Sequence, residues 1–205
     1  MKKIILIISL LVSYSVYAEV ALHFDRQGDF IPPDLVLQER GLKAYDQGFL
    51  KSSKSYFKKS VKFGNDQSKY FLALVFFQNK NWDKAYAWLQ LIDGHVQGKD
   101  ALMKKVESIL TESELEESMN VLSKLKKEYN DNSIMKRRNK WRKSLRGTGS
   151  HISGIDTLEI KHNITNLPIT NKDFKNQIQS YLDEYRYSKE FVKLSAIKDI
   201  ENNEY

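Results

Sequence analysis

Between Pro32 and Asn130 the chain carries almost no proline, and its apolar residues recur at spacings of three and four. That is the period of a helix that buries one stripe and leaves the rest to water. Gly48, Gly64, Gly94 and Gly98 interrupt the pattern, and glycine tolerates the positive φ with which a helix ends or a chain turns. The spacing predicts helices over about 34–47, 50–63, 66–79, 82–92, 98–110 and 112–129. Thr111 followed by Glu114 has the spacing of a capping box, which gives the sixth helix a defined start.

Short helices joined by tight turns make hairpins, and the second hairpin matches the first at an offset of 32 residues: Gly41 falls on Ala73, Phe49 on Asn81, Leu50 on Trp82, Ser53 on Ala85 and Phe57 on Leu89. Repetition of this kind is the mark of stacked units that share a core. Two helices approach closely only where side chains are short, which suits Gly41, Ala73, Ser53 and Ala85. The large residues Phe57, Leu89 and Trp82 are suited to fill the gaps between neighbouring hairpins.

The stretch from Tyr56 to Phe76 resembles the SEL-one-like repeat family, a relative of the tetratricopeptide repeats. It carries the aromatic Tyr56-Phe57, then Lys59-Ser60-Val61, Gly64 and Leu72-Ala73-Leu74-Val75-Phe76. Asp83-Lys84-Ala85-Tyr86-Ala87-Trp88 is similar to the family's next helix start, and the run from Leu110 to Ser118 to its closing helix. The resemblance covers roughly 34–130. The sequence departs from it at Ser53 and Ser60, where alanine is usual, at Lys80, where glycine is usual, and in an offset shorter than the tetratricopeptide period of about 34.

The resemblance implies a mainly α fold of stacked antiparallel helical hairpins, a short α/α superhelix, followed by a partly helical C-terminal tail. It also implies an extended concave face, lined by the first helix of each hairpin, that binds a protein or peptide partner. By position in the repeat, that groove would hold Gln38, Leu42, Tyr45 and Asp46 from the first hairpin. From the second it would hold Gln67, Tyr70, Leu74, Phe77 and Gln78. Its aromatic residues would supply contact area with few rotatable bonds; Leu42, Leu74 and Phe77 read equally well as core.

The chain starts Met1-Lys2-Lys3, follows with an apolar run from Ile4 to Val12, and offers Val16-Tyr17-Ala18 as a cleavage site. This reads as a secretory signal peptide over 1–18, cut near Ala18, since a membrane span needs about 20 apolar residues. The expected location is periplasmic or secreted, with no transmembrane anchor in the mature chain. The formal charge of +7 would fall to +5 with the loss of Lys2 and Lys3. The sequence has no cysteine, which excludes disulfides, thiol chemistry and an acylated N-terminal cysteine. The expected divisions are an N-terminal extension over 19–33, helical repeats over 34–130, a basic helical segment over 131–147, and a loop with a helical tail over 148–205.

In that basic segment Lys136, Arg137, Arg138, Lys140, Arg142, Lys143 and Arg146 surround Trp141 with no acid between them. Such a run is a candidate site for an acidic partner or an anionic cell-envelope polymer; export argues against nucleic acid. Read without a partner, it is a helix whose Ile134, Trp141 and Leu145 pack on the last hairpin. Ser150, His151 and Asp156 sit together in a Gly/Ser-rich stretch, but neighbouring residues rarely set a base against a nucleophile and no Gly-x-Ser-x-Gly elbow is present. His23, His95, His151 and His162 are dispersed, without ligand spacing.

No enzymatic activity, cofactor or metal is therefore expected. Ile155 to Ile160 alternates as a short strand would. Phe174, Ile178, Tyr181, Leu182 and Tyr185 form one stripe of a helix, and a last helix is expected from Ser188. The expected function is a periplasmic protein–protein interaction or scaffold protein, the alternative an anionic-polymer or acidic-partner binder acting through 136–146.

Overall fold

The computed structural model describes residues 22–25, 29–145, 160–161, 168–169 and 172–186. The expected signal peptide, Arg146, the Gly/Ser-rich stretch with Ser150, His151 and Asp156, His162, and the helix expected from Ser188 lie outside the described residues. The described chain is mainly α, made of packed neighbouring helices with little sheet.

Six helices start within one residue of the expected positions: α1 (Pro33–Asp46), α2 (Leu50–Val61), α3 (Asp66–Gln78), α4 (Trp82–Gln90), α5 (Lys99–Glu107) and α6 (Glu112–Glu128). The basic segment forms α7 (Asp131–Ser144), and residues 172–186 form α8. Two short antiparallel pairs complete the described elements: β1 (His23–Phe24) with β2 (Phe30–Ile31), and β3 (Ile160–Lys161) with β4 (Pro168–Ile169). Of the strand expected over 155–160, only Ile160 falls within the described residues.

Local chemistry sets the helix ends. Pro33 occupies the first turn of α1, where its missing N–H is not needed. The Asn65 side chain accepts from Ser68 N at 2.8 Å to start α3, and Asn130 accepts from Ser133 N at 2.9 Å to start α7. At α6 the capping box is complete: Thr111 Oγ1 accepts from Glu114 N at 3.3 Å, and Glu114 Oε2 accepts from Thr111 N at 3.0 Å.

The two hairpin turns are copies of one another. Gly48 has φ 77° and Lys80, 32 residues on, has φ 56°. In the first turn Phe49 N donates to Ala44 O at 2.8 Å and Gly48 N to Tyr45 O at 2.9 Å; in the second Asn81 N donates to Phe76 O and Lys80 N to Phe77 O, both at 3.0 Å. Lys80 therefore holds the left-handed position that the repeat pattern gives to glycine.

The helices α1 and α2 pack as one hairpin, α3 and α4 as a second, and α2 against α3 joins them. The main partner of α6 is α4, not α5, so the third pair departs from the hairpin geometry of the first two. Gly41 makes room for Phe57: a Cβ there would lie 2.5 Å from the Phe57 ring. Phe57 is fully buried and stacks on Phe71 of α3 at 5.2 Å, so one ring ties three helices. Of the other matched positions, Ser53, Ala73, Ala85 and Leu89 are also fully buried, whereas Leu50, Asn81 and Trp82 are half-buried and Phe49 is exposed. Ser53 Oγ has no hydrogen-bond partner among the described residues, whereas Ser60 Oγ donates to Asp34 O and accepts from Ser68 Oγ, both at 2.8 Å.

Candidate functional site

Side-chain contacts link the first helices α1, α3 and α5. Asn65 Nδ2 donates to Gln38 Oε1 at 2.9 Å and to Asp34 Oδ2 at 3.1 Å, which fixes the start of α3 against α1. At the other end Gln78 Nε2 donates to the Tyr45 hydroxyl. Phe77 lies between the Trp82 ring at 4.9 Å and the Lys105 ammonium at 5.2 Å, which brings α5 into the row. Tyr70 meets Phe71 edge-on at 5.8 Å, and its hydroxyl comes so close to Gly98 that a Cβ there would lie 2.7 Å away.

Leu42, Tyr45, Tyr70, Leu74 and Phe77 are all half-buried, their inner sides packed on the main core. They are thus both core and surface. Gln67 is half-buried, and Asp46 and Gln78 are exposed. The nine positions therefore offer an apolar strip edged by amides and a carboxylate, an arrangement suited to a peptide with spaced apolar side chains.

The basic segment does not form one surface. Arg138 is 5% exposed: its Nε donates to Phe63 O and its Nη1 to Tyr181 O, each at 2.7 Å. The guanidinium carbon lies 4.0 Å from the Tyr181 ring centre and 4.5 Å from that of Tyr185. Trp141 is buried as well, stacked on Phe30 at 5.6 Å and edge-on to Tyr181 at 5.8 Å. Both are interior, so neither meets a ligand at the surface. Arg137 is half-buried and donates to Glu128 O at 2.9 Å. Lys136, Lys140 and Lys143 remain exposed along one face of α7, with Arg142 half-buried beside them.

What buries Arg138 and Trp141 is the meeting of the β1–β2 hairpin with α8. Phe174, Ile178, Tyr181 and Leu182 of α8 form a second core with Trp141, closed by Leu22, Phe24, Phe30 and Phe63. Phe30 N donates to Gln177 Oε1 at 2.8 Å, and Gln177 Nε2 to Asp29 Oδ1 at 3.1 Å. Tyr185 donates to Asp131 Oδ1 at 2.9 Å and lies where a Cβ on Gly64 would clash, 2.4 Å from its ring. Burial holds the Tyr181 phenol well above the ordinary tyrosine range, with the Asp34 carboxylate raising it further and Arg138 opposing. Tyr185 is raised for the same reason, with Asp131 adding to it, and Tyr129 by burial and Glu128.

Among the described residues no helix is long and apolar enough to cross a membrane, and no three His, Cys, Asp or Glu side chains gather as a metal site. Comparison with protein-family models, curated proteins and solved structures finds no match.

Proposed function

We propose that the chain is an exported, non-catalytic interaction protein of the SEL-one-like type, which takes an extended segment of a partner protein along its first-helix row. The carrying observation is the strip of Leu42, Tyr45, Tyr70, Leu74 and Phe77, half-buried side chains tied across α1, α3 and α5. Rings anchored on one side in a core lose little freedom on binding, and so make good contact points. The docking of α8 supports the same reading, since it packs on α7 and the β1–β2 hairpin and leaves the strip half-exposed. Binding of an anionic envelope polymer through α7 is the weaker alternative, resting on Lys136, Lys140 and Lys143 after the burial of Arg138 and Trp141.

Photocrosslinking in cells tests the proposal, with a crosslinking residue placed in turn at Tyr45, Tyr70 and, as a control on α7, Lys143. Discrete partner adducts from positions 45 and 70, absent at 143, are the expected result. Adducts from position 143 alone would refute it.

A further inference from the structure

A second site lies on the other side of the hairpins, away from the first-helix row. The second helices α2 and α4 and the turn between α3 and α4 enclose an open cleft of about 610 Å³, lined by Leu50, Lys51, Lys54, Lys58, Phe76, Asn79, Asn81 and Lys84. The cations come from two helices. Lys51, Lys54 and Lys58 follow the three- and four-residue spacing that sets side chains on one face of α2, and Lys84 stands opposite in the first turn of α4. No carboxylate lines the cleft. Asp83, the acid in the first turn of α4, is not among the lining residues.

Two further features share this polarity. Both α2 and α4 begin at the cleft, and neither start has a side-chain cap: Phe49 offers no acceptor, and Asn81 turns its amide to donate to Asn79 O at 2.8 Å. Each helix start therefore adds the partial positive charge of its unbonded N–H groups to that of the lysines. The cleft also has an apolar side. Phe76 is almost fully buried beneath the Lys54 ammonium, which lies 5.5 Å from its ring centre, and Leu50 also lines the cleft.

Like charges brought together at two helix starts repel one another, and a multivalent anion is the occupant that relieves this. Lysine binds oxyanions as a point charge without selecting their shape. The volume exceeds what a bare inorganic ion needs, and the apolar wall gives an organic body something to touch. The geometry points to a binding site for a small organic molecule that carries two or more phosphate or carboxylate groups, held between Lys54 and Lys84 with Lys51 and Lys58 at the rim.

Calorimetric titration of the full chain with fructose 1,6-bisphosphate and, separately, with citrate tests this at low salt and at about 150 mM salt. The expected result is saturable binding of at least one probe, weakened by salt and by about tenfold, or about 1.4 kcal/mol, in the Lys54→Gln/Lys84→Gln variant. The Lys51→Gln/Lys58→Gln variant, altered at the rim, is expected to lose less, and Lys136→Gln/Lys143→Gln on α7 to lose nothing. Preference for the bisphosphate would assign phosphate chemistry, and preference for citrate carboxylate chemistry. Absence of heat up to about 10 mM of either probe would overturn the site, as would equal weakening by the α7 variant. Retention by a long anionic polymer without binding of either small probe would overturn it too.

Discussion

Replacing Arg138 by alanine is the perturbation that most sharply tests how α8 is held on α7 and the β1–β2 hairpin. The side chain makes two charge-assisted hydrogen bonds of 2.7 Å to the Phe63 and Tyr181 carbonyls and lies against two tyrosine rings. Hydrogen bonds to a charged group contribute about 1.5–3 kcal/mol each, and a desolvated cation–π contact about 2 kcal/mol. Burying the guanidinium itself costs several kcal/mol, so the intact arrangement is close to balance. Truncation is not balanced, because it takes the guanidinium donors from both carbonyls and leaves a void between the rings. Lost donors to buried carbonyls and the cavity together put the expected loss at about 3–5 kcal/mol, a large share of the roughly 5–15 kcal/mol that holds an ordinary domain.

Arg138→Lys, which keeps the charge but not the planar two-pronged donor, is expected to lose about half as much. Urea unfolding followed by circular dichroism gives the total, and hydrogen exchange over 172–186 shows whether α8 is released first. A loss below about 1 kcal/mol, or one no larger than that of exposed Lys143→Ala, would refute the clamp.

Three smaller perturbations have defined signs. Gly41→Ala is expected to destabilise by about 1–2 kcal/mol, because overpacking against Phe57 outweighs the helix propensity of alanine; urea unfolding that shows a gain would contradict the close approach. Lys80→Gly is expected to raise stability by about 0.5–1 kcal/mol by relieving the left-handed backbone at φ 56°, and an unchanged urea midpoint would count against that strain. For Tyr129, Tyr181 and Tyr185 the phenol pKa is raised in the fold. The stabilisation this gives is complete below the unfolded value and is lost as pH rises above it. Urea midpoints should therefore fall above about pH 10, with tyrosinate absorbance appearing as helicity disappears. Midpoints that hold steady through that range would be the contrary result.

Helix positions were legible because each signal is local: a period of three and four, glycines at Gly48, Gly64 and Gly98, and the Thr111–Glu114 box. Lys80 read as a departure from the repeat, and only the backbone shows it taking the left-handed conformation that Gly48 takes 32 residues earlier. Arg138 was misleading for the opposite reason, and Trp141, packed in one of the two readings of the segment, is buried on Phe30 and Tyr181 and not on the last hairpin. A run of cations on a helix reads as a solvated face, and only Tyr181 and Tyr185, more than forty residues later, convert part of it into core. The pairing of Phe30 with Gln177 carries no local signal either. Leu42, Leu74 and Phe77 stayed ambiguous in the sequence because the structure uses each of them on both sides, as inner core and outer face.

The most direct measurement of the interaction role is an amide NMR titration of the full chain with a bound peptide, selected from a library of extended sequences. Shifts concentrated on α1 and α3 around Leu42, Tyr45, Tyr70, Leu74 and Phe77, and lost with Tyr70→Glu in a variant of unchanged helicity, are the expected result. Shifts confined to α6, to α7 or to the lysine cleft, with the first-helix row undisturbed, would contradict it.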